Sequence, residues 1–156
     1  MSKEVNIDEI KLAKQRVADQ LPVTSLTRSI GFSELFNTNA FFKWDSLFTT
    51  GSFKERGACN FLHLLPADKR KQGVCAASAG NHALALSKYS ALLDIPCTLV
   101  MPYGAPLVKI ESAKAFGADV KLFGETFHHA YEHALTLSSD LGTTFVPAYD
   151  HIDIIN

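Results

Sequence analysis

A chain of 156 residues, 47% of them hydrophobic and 20% charged, is long enough for one domain with a real core, or one domain plus an appendage. A net charge of −1 gives no electrostatic footprint for nucleic acid or anionic lipid, and no apolar run is long enough to span a bilayer. No signal-peptide start is present, and Cys59, Cys75 and Cys97 are scattered through apolar contexts, so they read as reduced core thiols of a cytoplasmic protein rather than a disulfide framework.

In chain order, the first helix is expected from Asn6 to about Gln20. Asn6 can cap it with Glu9 three residues on, Ile7, Ile10, Val17 and Leu21 share one face, and Pro22 stops it. Val23 to Thr38 reads as connecting chain broken at Gly31, and Ala40 to Trp44 as an aromatic strand. At Gly51-Ser52-Phe53-Lys54-Glu55-Arg56-Gly57-Ala58, Ser52 and Glu55 have capping-box spacing, which starts a helix at Phe53 running to about Leu65 and ended by Pro66. That places Lys54 in the first turn, where the helix dipole disfavours an ammonium and favours the neutral amine that imine chemistry needs. On local physics alone an ordinary surface lysine is the commoner outcome.

Asp68 to Gln72 reads as a charged linker, and Gly73 to Ala77 as a buried parallel strand. Ser78-Ala79-Gly80-Asn81-His82 joins that strand to an apolar helix ending near Leu93. A strand, a small-residue turn and a helix start make either a plain cap or an anion-binding loop, since free N–H groups and the dipole point at the turn. Cys97 to Met101 is a strand, Pro106 starts a helix to Phe116, and Asp119 to Phe123 is a strand. A helix follows from Glu125 to Leu141 with Phe127, Ala130, Tyr131, Ala134, Leu137 and Leu141 on one face, then a last strand from Thr143 to Val146. The alternation implies an α/β fold, a parallel sheet with flanking helices and right-handed crossovers. His128, His129 and His133 lie opposite the apolar stripe and read as a solvated face, with no metal site expected.

Residues 51–58 resemble the cofactor-lysine motif of the fold-type II pyridoxal-phosphate enzymes, above all the threonine and serine dehydratases (ammonia-lyases) and serine racemase. Residues 78–82 are similar to the asparagine loop of the same family, and the likeness runs from about Phe41 to Asp150, taking in Pro106, Lys109, Gly117 and Ala118. Three positions depart from the pattern: Thr24-Ser25-Leu26 lacks the proline of the family's Thr-Pro-Leu turn, Asp45 stands for a glutamate, and Phe48 for a glutamine near the approach to the site.

The resemblance implies the small domain of the tryptophan-synthase-β-like fold over 51–148. Residues 1–50 and 149–156 then belong to an incomplete large domain. It further implies pyridoxal 5'-phosphate held on Lys54 as a Schiff base, with Phe53 packed beside the ring and Asn81 bonded to its phenolic oxygen. Ser78, Ala79, Gly80, Asn81 and His82 would form the substrate-binding turn, with His82 shaping it. Lys54, once freed, would take the α-proton of a hydroxy-amino acid, and loss of its β-hydroxyl would lead to a 2-oxo acid and ammonia. The family's glycine-rich phosphate loop and the residue facing the pyridine nitrogen have no counterpart in these residues, so little activity is expected of the chain alone. A homo-oligomer or a complementary C-terminal half is the expected partner. The alternatives are a non-catalytic binding or regulatory partner of a full-length enzyme, and a serine-racemase-type activity.

Overall fold

The computed structural model describes residues 5–156; of the N-terminal stretch expected in the larger domain, residues 1–4 lie outside it. Helix α1 (Ile7–Arg16) begins as the sequence predicts, with Asn6 Oδ1 accepting the N–H groups of Asp8 and Glu9 at 3.1 and 2.9 Å. It is shorter than expected. Ala13, Val17 and Leu21 are buried, but Ile7 and Ile10 are 60% and 39% exposed, because the apolar face extends past the body it packs on.

The expected connecting chain from 23 to 38 instead holds β1 (Leu26–Arg28) and α2 (Ile30–Leu35). Gly31 lies inside α2 rather than breaking the chain there. Ser29 Oγ caps this helix by accepting the N–H of Phe32 at 3.3 Å, and Ser33 Oγ both donates to Ser29 O at 2.5 Å and accepts the N–H of Ala40 at 3.1 Å. These local bonds outweigh the glycine. Strand β2 (Phe41–Lys43) pairs antiparallel with β1, Thr27 opposite Phe42, as a sheet separate from the rest. After it, Asp45 receives two 2.8 Å bonds from Arg56 and one from Thr24. Arg56 holds the Asp45 carboxyl below the usual carboxylate range against the pull of burial. Phe48 is a core residue whose ring lies 4.9 Å from the Arg56 guanidinium carbon, so its effect is packing.

Helix α3 (Lys54–Leu64) ends before Pro66, and the next turn is helical as well: α4 (Ala67–Gln72) replaces the expected linker. Arg70 reaches back from α4 to the carbonyls of Leu65 and His63 at 3.0 and 2.7 Å, filling acceptors that the end of α3 leaves open. The next elements alternate as predicted: β3 (Val74–Ala77), α5 (Asn81–Leu92), β4 (Cys97–Met101), α6 (Leu107–Ala115), β5 (Asp119–Leu122), α7 (Phe127–Leu141) and β6 (Thr144–Phe145); a short helix that the sequence reading did not include, α8 (Ile152–Ile155), follows.

Strands β3 to β6 form one parallel sheet in the order β5-β4-β3-β6. The chain steps outward from β3 to β4 to β5 and then returns past them to the far side of β3. Alternate strand residues serve two cores. Val74, Ala76, Leu99 and Met101 pack with α3, α5 and α6, while Cys75, Ala77 and Val100 pack with Ala130 and Ala134 of α7. Full burial of each Leu or Val side chain contributes about 1.5–3 kcal/mol, and β3 is buried on both faces, as its continuous apolar sequence requires. On α7 the buried stripe is Ala130, Ala134 and Ser138; Phe127 and Leu141 stay largely exposed, and Tyr131 meets Phe145 edge-on at 5.4 Å. A fold built this way leaves its ligand crevice at the carboxyl ends of β3 and β6, where the direction of winding reverses.

Helix α8 folds back on α3 at Gly57. A Cβ there would lie 2.5 Å from the carbonyl oxygen of Ile154, whereas one at Gly31 would meet nothing within 4 Å. Gly57→Ala is therefore expected to destabilise the fold by about 1–3 kcal/mol, and Gly31→Ala to stabilise it by about 0.5–1 kcal/mol. Paired denaturation curves check both signs.

Candidate active site

Gly51 makes the turn before α3, at a φ of 76° that glycine tolerates. Phe53 occupies the cap position, one residue later than predicted, and Ser52 Oγ still accepts the N–H of Lys54 at 3.2 Å. The capping box does not form. Glu55 turns inward instead and is fully buried. One carboxylate oxygen accepts the N–H of Thr50 at 2.5 Å, and the other accepts Lys88 Nζ at 2.7 Å and the Tyr89 hydroxyl at 2.6 Å. Burial pulls the Glu55 carboxyl up, but Lys88, Tyr89 and Thr50 together hold it below its ordinary range. Burial and the Glu55 bond push the Tyr89 phenol up. The turn before Lys54 is thus locked to the middle of α5.

The other end of α5 carries the second predicted stretch. Ser78 N–H donates to Val100 O at 3.2 Å, extending the line of β3, and Ser78 Oγ accepts the N–H groups of Gly80 and Ala83 at 3.3 Å each. Gly80 caps α5, and a Cβ added to it would meet nothing within 4 Å, so the face of the turn is open to a ligand. Helix geometry leaves the first N–H groups of α5 without intrahelical acceptors. His82 is only 3% exposed, and its Nε2 donates to Val146 O at 3.3 Å. Burial, and secondarily the charge of Lys54, bring its pKa down to about 4, so the ring is neutral.

Lys54 Nζ donates to Ala148 O at 2.5 Å and lies 5.3 Å from the centre of the Phe53 ring. Phe53 is 61% exposed, a flat apolar surface beside the amine. The chain leaving β6 therefore ties the two stretches together: Val146 O takes His82 and Ala148 O takes Lys54, at the sheet's reversal point. A cavity of about 510 Å³ lies on the α1 and α8 side of Lys54, lined by Phe53, Gly57, Tyr149, Ile154 and Ile10 among others, and the Ser78 turn is not part of it.

Three sets of contacts escaped the sequence reading: those of Glu55 with Lys88 and Tyr89, those of the Val146–Ala148 segment, and that of Lys109, whose Nζ donates to Asn81 Oδ1 at 3.0 Å. The polar pair Lys88-Tyr89 within an otherwise apolar helix was the available signal for the first. Away from the site, His133 stacks on Phe123 at 3.9 Å and His128 pairs with Glu132 at 3.2 Å; no group of three metal-ligating side chains occurs among the described residues.

Residues 17–156 match the family model described as pyridoxal-phosphate dependent enzyme. The chain belongs to that family. It is 38% identical over 151 residues to the L-threonine ammonia-lyase of Thermotoga maritima and 39% identical over 151 residues to the catabolic L-threonine dehydratase of Escherichia coli. These matches cover 97% of this chain but 38% and 46% of those proteins, so the chain spans less than half the length of these relatives. Among solved structures, threonine deaminase isoform 2 of Solanum lycopersicum superposes with a TM-score of 0.85 at 31% identity, covering 99% of this chain and 47% of that one. Maize serine racemase superposes with a TM-score of 0.90 at 26% identity, covering 98% and 46%. The architecture is that of the small domain of the fold-type II pyridoxal-phosphate enzymes. The site fits the family's cofactor: a primary amine, an exposed aromatic face and an open turn with free N–H groups offer the contacts an aldehyde, a flat ring and anionic oxygens require.

Two changes test this geometry. Glu55→Ala strands Lys88 and Tyr89 and is expected to cost about 3–5 kcal/mol in a denaturation experiment. For pH, the unfolded state binds a proton on His82 below 6.5 while the folded state resists until about 4, so stability is lost as pH falls through that window. The loss amounts to about 3 kcal/mol, and Glu55 adds to it below its unfolded value near 4.5. Denaturation midpoints between pH 7 and 4 check this, and the slope above about pH 5 is expected to disappear in His82→Asn.

Proposed function

We propose that this chain is the cofactor-lysine portion of a threonine/serine dehydratase-type ammonia-lyase, which converts a hydroxy-amino acid to a 2-oxo acid and ammonia. The observation that carries the reading is the meeting of Lys54 and the Ser78–His82 turn at the exit of β6. Residues 51–148 form the small domain in this reading, and 1–50 with 149–156 belong to a larger one. Support comes from the separation of the β1–β2 pair from the four-stranded sheet.

Bound pyridoxal 5'-phosphate supplies an electron sink for the charge left when the substrate's α-proton departs. Lys54 Nζ would be the amine that holds this group and, when free, the base placed to take this proton. Phe53 would pack against the flat ring, and Asn81 would donate to an oxygen on it. The N–H groups of Ala79 and Asn81, which the turn leaves without acceptors, would bind the substrate carboxylate at the positive end of α5. His82, neutral and buried against Val146 O, braces the turn rather than moving a proton. Ala148 O holds the Lys54 amine in place at the exit of β6.

Leu26, Ile30, Phe32, Leu35, Phe36 and Trp44 are all exposed. This apolar surface supports association with further polypeptide, either a second copy or a chain supplying the phosphate-binding loop. No helix of the described residues is long and apolar enough to cross a membrane. We assign the protein to the cytoplasm, a reading supported by three buried free thiols, Cys59, Cys75 and Cys97, whose pKa values burial raises to about 12, 11 and 12.

Titration with pyridoxal 5'-phosphate tests the reading. Wild-type chain is expected to develop a visible absorption band that Lys54→Ala lacks. Assays for 2-oxo acid and ammonia from threonine and serine, with chiral analysis of recovered serine, then separate elimination from racemisation. Where turnover occurs, Lys54→Ala is expected to lower it at least about a hundredfold. An identical band in Lys54→Ala overturns the assignment.

A further inference from the structure

Lys109 is the third residue of α6, which follows β4 as α5 follows β3; the two helix N-termini therefore stand side by side at the carboxyl edge of the sheet. Like Lys54, it is a lysine in the first turn of a helix, where the dipole gives a positive charge no support. Pro106 caps α6 with no side-chain bond, so nothing local explains the charge. What Lys109 does contact is the amide of Asn81, at 3.0 Å through Oδ1.

The chemistry of this pair fixes an orientation. A lysine ammonium only donates, whereas an asparagine amide has one accepting and one donating end. The end of Asn81 facing Lys109 must therefore be Oδ1, which leaves Nδ2 as the free end, a donor. Without Lys109 an exposed asparagine at the start of a helix is free to present either end. Resting on the reading above, in which Asn81 donates to a ring oxygen of the cofactor, we propose that Lys109 is a positioning residue. It holds Asn81 in the one orientation that offers an N–H to the ligand.

The test uses the whole chain with pyridoxal 5'-phosphate as the probe. Lys109→Met is expected to weaken binding about five- to tenfold, the range for one charge-assisted hydrogen bond, and to shift the visible band. Lys109→Arg, which also only donates, is expected to restore both. In an Asn81→Ala background Lys109→Met is expected to have no further effect, because the two residues act as one unit. A readout without cofactor is the Asn81 side-chain amide in a 15N spectrum, whose two proton resonances are expected to shift and exchange faster in Lys109→Met. Wild-type affinity, band and amide resonances in Lys109→Met overturn the inference while leaving the Lys54 reading intact, as does an additive loss in the double variant. A wild-type band that persists in Lys54→Ala overturns both.

Discussion

The buried carboxylate of Glu55 is the constraint on which the site depends. It is fully enclosed, and a buried charge is tolerable only when paired and hydrogen-bonded, so Thr50, Lys88 and Tyr89 must all be in place around it. Those partners come from both sides of the site. Thr50 lies in the turn that launches α3, and Lys88 and Tyr89 lie on α5. Satisfying one charge therefore fixes the first residue of α3, Lys54, relative to the helix whose N-terminus carries Asn81. A buried ion pair of this kind contributes little net stability compared with apolar packing, but it admits few alternative arrangements of the helices around it.

The sheet sets the other half of the geometry. Because β6 returns to the far side of β3, the exit of β6 runs beside the Ser78 turn, and its carbonyls at Val146 and Ala148 take His82 and Lys54. Lys54 and His82 are thus each held by a backbone acceptor of the same segment. The faces left open, above Gly80 and along Phe53, are those a ligand would approach.

Much of this was legible in the sequence, for identifiable reasons. The strands β3 and β4 announce themselves because burial on both faces demands apolar runs, unbroken in Val74–Ala77 and interrupted in Cys97–Met101 by the half-buried Thr98 alone. Gly142 ends α7 in the left-handed conformation that its position after the last apolar residue predicts. The Ser78–His82 turn is local chemistry between a strand and a helix, and its Ser78 bonds follow from adjacent residues. Reading failed where a residue's partner is distant in the chain or where local bonds outweighed a breaker. Glu55 has capping-box spacing, yet its carboxylate found Lys88, thirty-three positions away, and Tyr89, thirty-four away. Gly31 reads as a break until Ser29 and Ser33 are seen to tie α2 down. Lys109 and Asn81 are twenty-eight residues apart, and only the sheet brings their helices together.

The attachment of the cofactor at Lys54 is tested most directly by trapping. Borohydride reduction of the wild-type chain mixed with pyridoxal 5'-phosphate, followed by peptide mass mapping, shows which amine carries the aldehyde. The account requires the label on Lys54, with Lys43, Lys88 and Lys109 unmodified at the same concentration. A label spread evenly over exposed lysines, with Lys54 no more modified than the others, would contradict it.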